Sequence, residues 1–300
     1  MTKYRLIGLD IGGTMIKMAA FSPEGKMIQN WSRDTNDQSG LAIPAFAESA
    51  REMLRKFAAP DAQIGIAAPG LAASDSRSIA FQPGKMHGIE SFDWTNFLGR
   101  QNIVPVLNDA HAALLGEVWQ GAAKGCGHAI LLTLGTGVGG AVLVDGKLLK
   151  GTIGRAGHLG HVFVNEDDER SIFGMPGALE PAIGNYNIAS RTGGWFASSQ
   201  ELEKAYAAGD SMAREFWLKS IRALARAIAS FINILDPEVV IIGGGIAKSG
   251  KSLFDPLAEF LKDMEWRPGG HRVRIIPAAL GEWAGTYGAA KNALDWKKGA

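Results

Sequence analysis

Residues 6–14 read LIGLDIGGT, an apolar strand that runs into a turn of small residues. Residues 130–140 repeat this pattern as ILLTLGTGVGG, and between the two lies a short apolar strand that ends at Asn108 and Asp109. Because glycine has no Cβ, turns of this kind let backbone N–H groups approach an anion closely. A carboxylate between two such turns suits a reaction in which a base activates a hydroxyl toward a phosphate. These stretches therefore indicate a phosphotransferase.

The length and composition are those of an ordinary globular chain. Three hundred residues exceed the size at which one hydrophobic core keeps growing, so we expect two domains. The net charge is +1 without a long run of like charges, which argues against a nucleic-acid or membrane surface. Cys126 is the single cysteine, so we expect no internal disulfide and no cysteine-built zinc site. No signal peptide opens the sequence, and we expect a cytoplasmic protein.

Strands and helices alternate along the sequence, which predicts an α/β protein with both faces of its sheets covered. The first three strands, at residues 4–11, 15–21 and 27–33, are predicted to form an antiparallel meander. Apolar residues at three- and four-residue steps predict helices over residues 42–58 and 211–235. No G-x-G-x-x-G follows the first strand into a helix, and no G-x-x-x-x-G-K-[ST] occurs, so the Rossmann and P-loop fingerprints are absent.

Each candidate residue also has a plainer interpretation. The turn after Asp10 is common in ordinary β-hairpins, and a lone aspartate at a strand end, such as Asp109, is often a helix N-cap. His158 and His161 are spaced to share one face of a helical turn, but two histidines do not complete a tetrahedral zinc site. The glycines at 243–245 are predicted to begin a helix, whose N–H groups would face an anion or a nucleoside.

Taken together, the motifs resemble the ROK family, named for repressors, open reading frames and sugar kinases. The matching stretches follow the family's order and cover essentially the whole chain. They are DIGGT at 10–14, Asn108-Asp109, GTGVGG at 135–140, GHLGH at 157–161, GGG at 243–245 and AGTYGAA at 284–290.

The resemblance implies an actin-like ATPase fold, related to ribonuclease H, with two α/β domains around a central cleft. It implies an N-terminal domain at residues 1–110, a larger C-terminal domain at 111–282, and a last helix at 283–297 that packs back on the first domain. It also implies a homodimer, and ATP- and Mg²⁺-dependent phosphorylation of a hydroxyl of a hexose or an N-acyl-hexosamine.

The resemblance further implies roles for individual residues. Asp109 is expected to be the general base. The expected nucleotide-binding residues are Asp10, Gly12, Gly13, Thr14, Lys17, Gly135, Thr136, Gly137, Gly243, Gly244 and Gly245. The expected sugar-binding residues are Gly70, Gln82, Asn108, Asp109, His158, His161 and Glu180.

The sequence departs from the family's zinc motif. C-x-C-G-x-x-G-C-x-E aligns with residues 171–180, where serine, phenylalanine and alanine stand in place of the three cysteines. His161 occupies the fourth ligand position but cannot hold zinc by itself, so we expect no structural zinc. We expect packing by Phe173, Met175 and Leu179 to take its place.

Two expected sugar contacts also depart from the family. The usual E-x-G-H has His158 in place of its glutamate, and a loop that often reads Asn-Leu-Pro-Gly is Phe81-Gln82-Pro83-Gly84 here. A buried polar group that is left without its hydrogen-bond partner can change the discrimination between two substrates by about 10⁴-fold. Glucose is therefore not assumed as the substrate.

Three functions fit these residues. The first is a sugar kinase with an altered sugar pocket. The second is a non-catalytic sugar-sensing regulator; regulators of this family carry a DNA-binding helix-turn-helix before the first strand, where this chain has three residues, so we expect no direct nucleic-acid binding. The third is an actin-like ATPase without a sugar substrate, against which the retained Asn108, His161 and Glu180 argue.

Overall fold

The computed structural model describes residues 2–84, 86–165 and 169–298, and for Lys297 and Lys298 the backbone alone. The strands are β1 (Tyr4–Ile11), β2 (Met15–Phe21), β3 (Met27–Asp34), β4 (Ala58–Ala68), β5 (Leu71–Ala72), β6 (Ile79–Phe81), β7 (Val106–Asn108), β8 (Ala129–Leu134), β9 (Val138–Val144), β10 (Lys147–Leu148), β11 (Val239–Gly243) and β12 (Arg274–Pro277). The helices are α1 (Ala45–Phe57), α2 (Trp94–Phe97), α3 (Asp109–Gln120), α4 (Leu179–Ile183), α5 (Ile188–Arg191), α6 (Ser199–Ala207), α7 (Ser211–Leu235), α8 (Lys251–Met264) and α9 (Ala284–Lys298).

The described residues form two compact units. The first comprises the residues up to 125, residues 148–156 and the residues from 279 onward, and the second comprises residues 126–147 and 157–278. The division expected from the sequence placed residues 111–125 with the second domain. In the structure α3 belongs to the first unit, where it packs along α9.

The first unit is built on a five-stranded sheet in the order β3-β2-β1-β4-β7. The meander predicted from the sequence is confirmed, because β1 pairs antiparallel with β2, and β2 with β3. By contrast, β1, β4 and β7 run parallel to one another. Since the carboxyl ends of parallel strands meet at one edge of a sheet, Asp10, Gly70 and Asn108 are brought to the same edge.

Helix α9 lies unusually close to this sheet. A Cβ on Gly8 of β1 would lie 1.9 Å from the backbone oxygen of Thr286, and a Cβ on Gly65 of β4 would lie 1.9 Å from that of Ala289. Any side chain at either position would push the helix off the strands. The glycines therefore set the spacing between α9 and the strand that carries Asp10.

The second unit is built on another five-stranded sheet, in the order β10-β9-β8-β11-β12. Strands β8, β11 and β12 are parallel, and β9 pairs antiparallel with β8. The apolar side of α7, which includes the buried Trp217 and Leu224, packs into the core of this unit. The helix predicted at 211–235 is confirmed, with Asp210 accepting from Ala213 N at 2.7 Å as its N-cap.

One sequence-based expectation about a helix needs correction. The glycines at 243–245 lead into a single 3₁₀ turn, Ile246–Ser249, and α8 begins only at Lys251. The left-handed backbone at Gly244 (φ +88°) and Gly250 (φ +54°) prevents one continuous helix there. Helix α6 was not predicted from the sequence, although Ser198 caps it, accepting from Glu201 N at 3.1 Å. No helix in the described ranges combines the length and apolar character needed to span a bilayer.

Candidate active site

Asp10 lies near the end of β1, directly before the first glycine turn. Its register partner on β2 is Lys17, whose Nζ is 3.1 Å from Glu282 Oε2. The carboxylate packs against the first turn of α9, where a Cβ on Gly285 would approach Asp10 Oδ2 to 2.5 Å. The pKa of Asp10 is raised to about 7: burial is the largest cause, the charge of Asp109 adds to it, and the charge of Lys17 opposes both.

The first glycine turn is held from one side by Thr35. Gly12 N donates to Met15 O at 2.9 Å and closes the turn, while Thr35 Oγ1 donates to Gly12 O at 2.6 Å and Thr35 N to Thr14 O at 2.9 Å. Thr35 is fully buried, whereas Gly13 and Thr14 stay exposed. The sequence reading missed Thr35, and no local signal marks it, because it acts across the sheet from the turn.

Asn108, the last residue of β7, is the N-cap of α3. Its Oδ1 accepts from Ala110 N at 2.9 Å and from His111 N at 3.2 Å, and its Nδ2 donates to Gly70 O at 2.8 Å. The plainer interpretation offered for Asp109 therefore applies to Asn108. Asp109 is left as the first residue of the helix, with its carboxylate accepting from Ala110 N at 2.8 Å.

Asp109 retains solvent-accessible surface, although burial raises the pKa of its carboxyl while hydrogen bonds from Ala110 and Asn108 lower it. The Asp109 side chain is exposed, so a substrate can reach it. A carboxyl whose pKa is raised toward the working pH is a better general base than an ordinary aspartate.

Gly70 and Gln82 lie together beside Asn108 in the first unit. Gly70 adopts φ +102°, and a Cβ there would meet Phe81 O at 2.6 Å and Gln82 Cβ at 2.9 Å. Gln82 N donates to Glu90 Oε1 at 2.5 Å. Three of the expected sugar-binding residues thus lie close together in the first unit.

The second glycine turn, between β8 and β9, is held by backbone groups. Gly135 N donates to Gly137 O at 3.0 Å, Asn185 N to Gly135 O at 2.9 Å, and Tyr186 N to Thr136 O at 2.9 Å. At the end of the neighbouring β11, Gly244 packs against β8, where a Cβ would lie 2.3 Å from Leu134 O. Gly245 has open space around its Cα. The structure therefore brings the two expected nucleotide-binding clusters of the second unit together.

Glu180, at the start of α4, packs against the second turn. A Cβ on Gly137 would approach its Oε2 to 2.4 Å, and that oxygen accepts from Val138 N at 3.2 Å. Its other oxygen, Oε1, is buried and has no hydrogen-bond partner among the described residues. A buried carboxylate oxygen in this condition calls for a donor from water or a ligand.

His158 and His161 lie in the same unit, on the segment that packs against β9. Their rings are nearly parallel, at 4° with centroids 6.5 Å apart. Burial and the charge of His161 lower the pKa of His158, which favours the neutral imidazole. His161 Nδ1 is buried with no hydrogen-bond partner among the described residues, a second group that a ligand can satisfy.

The loop that aligns with the zinc motif is closed by Ser171. Its Oγ accepts from Phe173 N and Met175 N at 3.3 Å each, and its N–H donates to Met175 O at 2.8 Å. Phe173 packs edge-on against His161 at 5.1 Å, while Leu179 is fully buried. Within the described ranges, no group of three or more His, Cys, Asp or Glu side chains is placed to hold a metal ion. The part played by the Ser171 hydroxyl was missed, although a serine at a cysteine position was the signal for it.

Known proteins match this chain in sequence and in fold. The ROK family profile matches residues 6–295. A glucokinase from Thermotoga maritima is 34% identical, with 97% of each chain covered, and an N-acetylmannosamine kinase from Escherichia fergusonii is 29% identical, with 95% of this chain and 96% of that protein covered. The solved structure of a ROK hexokinase from Thermus thermophilus superimposes with a TM-score of 0.86 at 28% identity, over 98% of this chain and 99% of that one. This chain has the actin-like ATPase fold, and it belongs to the ROK family.

Proposed function

We propose that Asp109 is the general base with which this protein transfers the γ-phosphate of ATP to a hydroxyl of a hexose or an N-acyl-hexosamine. The chain is an ATP-dependent sugar kinase, in keeping with its family and with the glucokinase and N-acetylmannosamine kinase that it resembles. The assignment rests on the fact that Asn108, and not Asp109, is the N-cap of α3. Asn108 caps the helix, so the accessible carboxylate of Asp109, with its raised pKa, is available to accept a proton.

Asp10 is the residue that best fits the Mg²⁺ that accompanies ATP. Its carboxyl is packed against α9 and repelled by Asp109, with Lys17 as its compensating charge. A divalent cation would lower the pKa of such a group and relieve this repulsion. When bound, Mg²⁺ would neutralise phosphate charge; the exposed turn at Gly13 and Thr14 would orient the phosphates, and Lys17 would add positive charge. In the second unit, Gly135–Gly137 and Gly243–Gly245 would bind the rest of the nucleotide.

The sugar pocket would differ from that of family members with a glutamate at position 158. A neutral imidazole offers one donor and one acceptor, whereas a carboxylate offers acceptors alone. Glu180 Oε1 and His161 Nδ1 remain to bind sugar hydroxyls, together with Gly70, Gln82 and Asn108. We therefore propose a sugar with one hydroxyl that donates to Glu180 and a second hydroxyl or an acyl oxygen that accepts from His158.

We also propose that the protein acts in the cytoplasm, where ATP is supplied, and as a homodimer. Phe163, Ile172 and Phe173 are large apolar residues exposed on the second unit, and Phe163 bridges to Ala178 beside the loop closed by Ser171. If a second copy of the chain packed against these side chains, their apolar surface would be removed from water. Light scattering that gives the mass of one chain across the working concentration range would disprove the dimer.

A coupled ADP-release assay with MgATP against hexoses, N-acetylhexosamines and rarer sugars tests the activity, with Asp109→Asn as the matched blank. We expect one or a few sugars to give turnover that disappears in the variant. A sugar turned over equally by both proteins would show that Asp109 is not the base. Silence across the panel with ATP still bound would favour a sugar-sensing regulator instead.

A further inference from the structure

The first unit carries a large hollow that none of the catalytic residues line. Its volume is about 480 Å³, within the range of small-molecule pockets. It lies where α1 ends, β4 begins and α2 meets the turn that follows it. The charged residues that line it are Lys3, Arg51, Arg55 and Arg100, and we call it the basic hollow.

We propose that the basic hollow is a binding site for a phosphate-bearing small molecule, separate from the site of phosphoryl transfer. No carboxylate is among the described residues that line it, whereas the whole chain is nearly neutral with 31 basic and 30 acidic residues. The four cations around this hollow therefore give it a much more positive charge than the chain has on average. A concave surface lined by one sign of charge concentrates counter-ions of the other sign.

The charges of the basic hollow are only partly compensated. Among the described residues, neither Lys3 nor Arg55 has a carboxylate within ion-pair distance. Arg51 is paired with Glu48 on the same helix, and Arg100 donates to Pro60 O. Partial burial lowers the pKa of Arg100 more than the charge of Asp61 raises it, which means that the Arg100 charge is held in surroundings that solvate it poorly. An anion would stabilise that charge.

The helix end beside the hollow is already neutralised. The carboxyl end of α1 carries a partial negative charge that would repel an anion. Lys3 Nζ donates to Arg55 O at 2.5 Å and so satisfies one of the terminal carbonyl groups. The guanidinium groups of Arg55 and Arg100 are the best placed to bind a phosphate, because the planar fork of an arginine matches phosphate oxygens.

The rest of the lining accommodates an organic body as well as a phosphate. Leu54, Phe97 and Leu98 contribute apolar surface, and the Arg51 guanidinium covers the Phe97 ring at 4.8 Å. Inorganic phosphate alone would occupy a small part of about 480 Å³. A phosphomonoester of the size of a hexose phosphate fits this combination of charge, apolar surface and volume.

The location sets the basic hollow apart from the catalytic edge of the same sheet. It adjoins the amino ends of β1 and β4, at Lys3 and Ala58, whereas Asp10 lies near the carboxyl end of β1 and Gly70 follows that of β4. Six residue steps along β1 separate Tyr4 from Asp10, or about 20 Å. A ligand in the hollow would therefore bind at a second site rather than react, and the inference does not depend on the kinase assignment.

Isothermal titration of the full chain at low ionic strength tests the proposal, with inorganic phosphate, a hexose 6-phosphate and the unphosphorylated hexose as probes. The test variant is Arg55→Gln/Arg100→Gln, and the matched control is Arg214→Gln/Arg272→Gln, two exposed arginines of the second unit. We expect the two phosphates to bind, with affinity that falls by about tenfold or more in the test variant and stays within about twofold in the control.

Each outcome decides the proposal. Equal phosphate affinity in the wild-type chain and the test variant would overturn it, as would no phosphate binding at about 10 mM. Tighter binding of the hexose phosphate than of phosphate would identify an organic phosphate ligand, and equal binding would identify free phosphate. If the double variant does not fold, Arg55→Gln alone decides, since Arg55 is exposed and its side chain makes no described hydrogen bond or ion pair. A chain without kinase turnover that still binds phosphate through Arg55 would sustain this inference alone.

Discussion

The two glycine turns connect the same kind of strand pair but surround it with different chemistry. The first turn follows a strand that itself carries a carboxylate, Asp10, and a threonine side chain, Thr35, holds the turn in place. The second turn follows a strand without a charged residue, and its carboxylate, Glu180, comes from another part of the chain. Backbone groups of residues 185–186 hold that second turn.

This difference shows that a shared strand–turn–strand geometry does not fix the electrostatics of a site. Behind the first turn lies the amino end of α9, packed so closely that glycine is required at position 285. Behind the second turn lies a buried carboxylate with one unsatisfied oxygen. The carboxylate beside the first turn thus suits a ligand that carries a cation. The carboxylate behind the second turn can accept a hydrogen bond from a hydroxyl group.

The largest effect should come from the packing that supports the first turn. Gly8→Ala would force a Cβ to 1.9 Å from a backbone oxygen of α9, whereas Gly135→Ala in the second turn meets no atom within 4 Å. We expect Gly8→Ala to lower the free energy of unfolding by about 3 kcal/mol or more. We expect Gly135→Ala to change it by less than about 0.5 kcal/mol. Urea denaturation measures both; equal stability of the two variants would show that the first strand is not locked to α9.

The charge of Asp10 should make the protein less stable as pH rises. Because its folded pKa is raised from 3.8 to about 7, the stabilising contribution of the protonated form is complete below pH 4 and is lost as pH rises through about 7. Asp10→Asn should therefore increase the free energy of unfolding at pH 8 by more than about 1 kcal/mol while it abolishes most turnover. Asp255→Asn, at an exposed carboxylate of α8, is the control. A variant less stable than wild type at pH 8 would mean that the Asp10 charge is well compensated.

Glu180→Gln separates two roles for the carboxylate of the second unit. If Oε1 binds a sugar hydroxyl, the KM for the sugar should rise by about tenfold with little change in kcat or in the KM for ATP. A change confined to the KM for ATP would instead show that Glu180 serves the second turn through Val138. Glu215→Gln, at an exposed position of α7, should change none of these constants.

The smallest effect should come from Thr35. Thr35→Val removes the hydrogen bond to Gly12 O and should raise the KM for ATP by about two- to fivefold. Thr35→Ser keeps the hydroxyl and should behave as wild type. No equivalent substitution can be made for the second turn, because backbone groups and not a side chain hold it. An unchanged KM in Thr35→Val would show that the closing bond between Gly12 and Met15 suffices.

Sequence patterns predicted what is local in this molecule. The meander, α7 and the two hairpin turns follow from apolar periodicity and glycine position over stretches of a few residues, and the structure confirms these elements. The irregular path after Gly243 was mistaken for a helix start, because glycines permit both conformations and the sequence does not state which φ each adopts.

Residues that act across the fold escaped prediction. Thr35 acts on a turn 21 residues earlier in sequence, and Glu117 is fully buried with its carboxylate accepting from Ala279 N and Leu280 N at about 3 Å. Neither has a local signature, because the partners are brought together only by tertiary packing. Similarly, two adjacent polar residues at a strand end do not reveal which of them caps the helix. The structure assigns the cap to Asn108.

The most direct test of Asp109 as the base compares Asp109→Asn with Asp10→Asn in two measurements, single-turnover phosphoryl transfer and MgATP binding by calorimetry. We predict that Asp109→Asn lowers the transfer rate by about 10²–10⁴-fold while MgATP affinity stays within about twofold of wild type. Asp10→Asn should weaken MgATP binding by about tenfold or more. Transfer by Asp109→Asn at the wild-type rate, or a loss of MgATP binding equal to that of Asp10→Asn, would contradict the assignment.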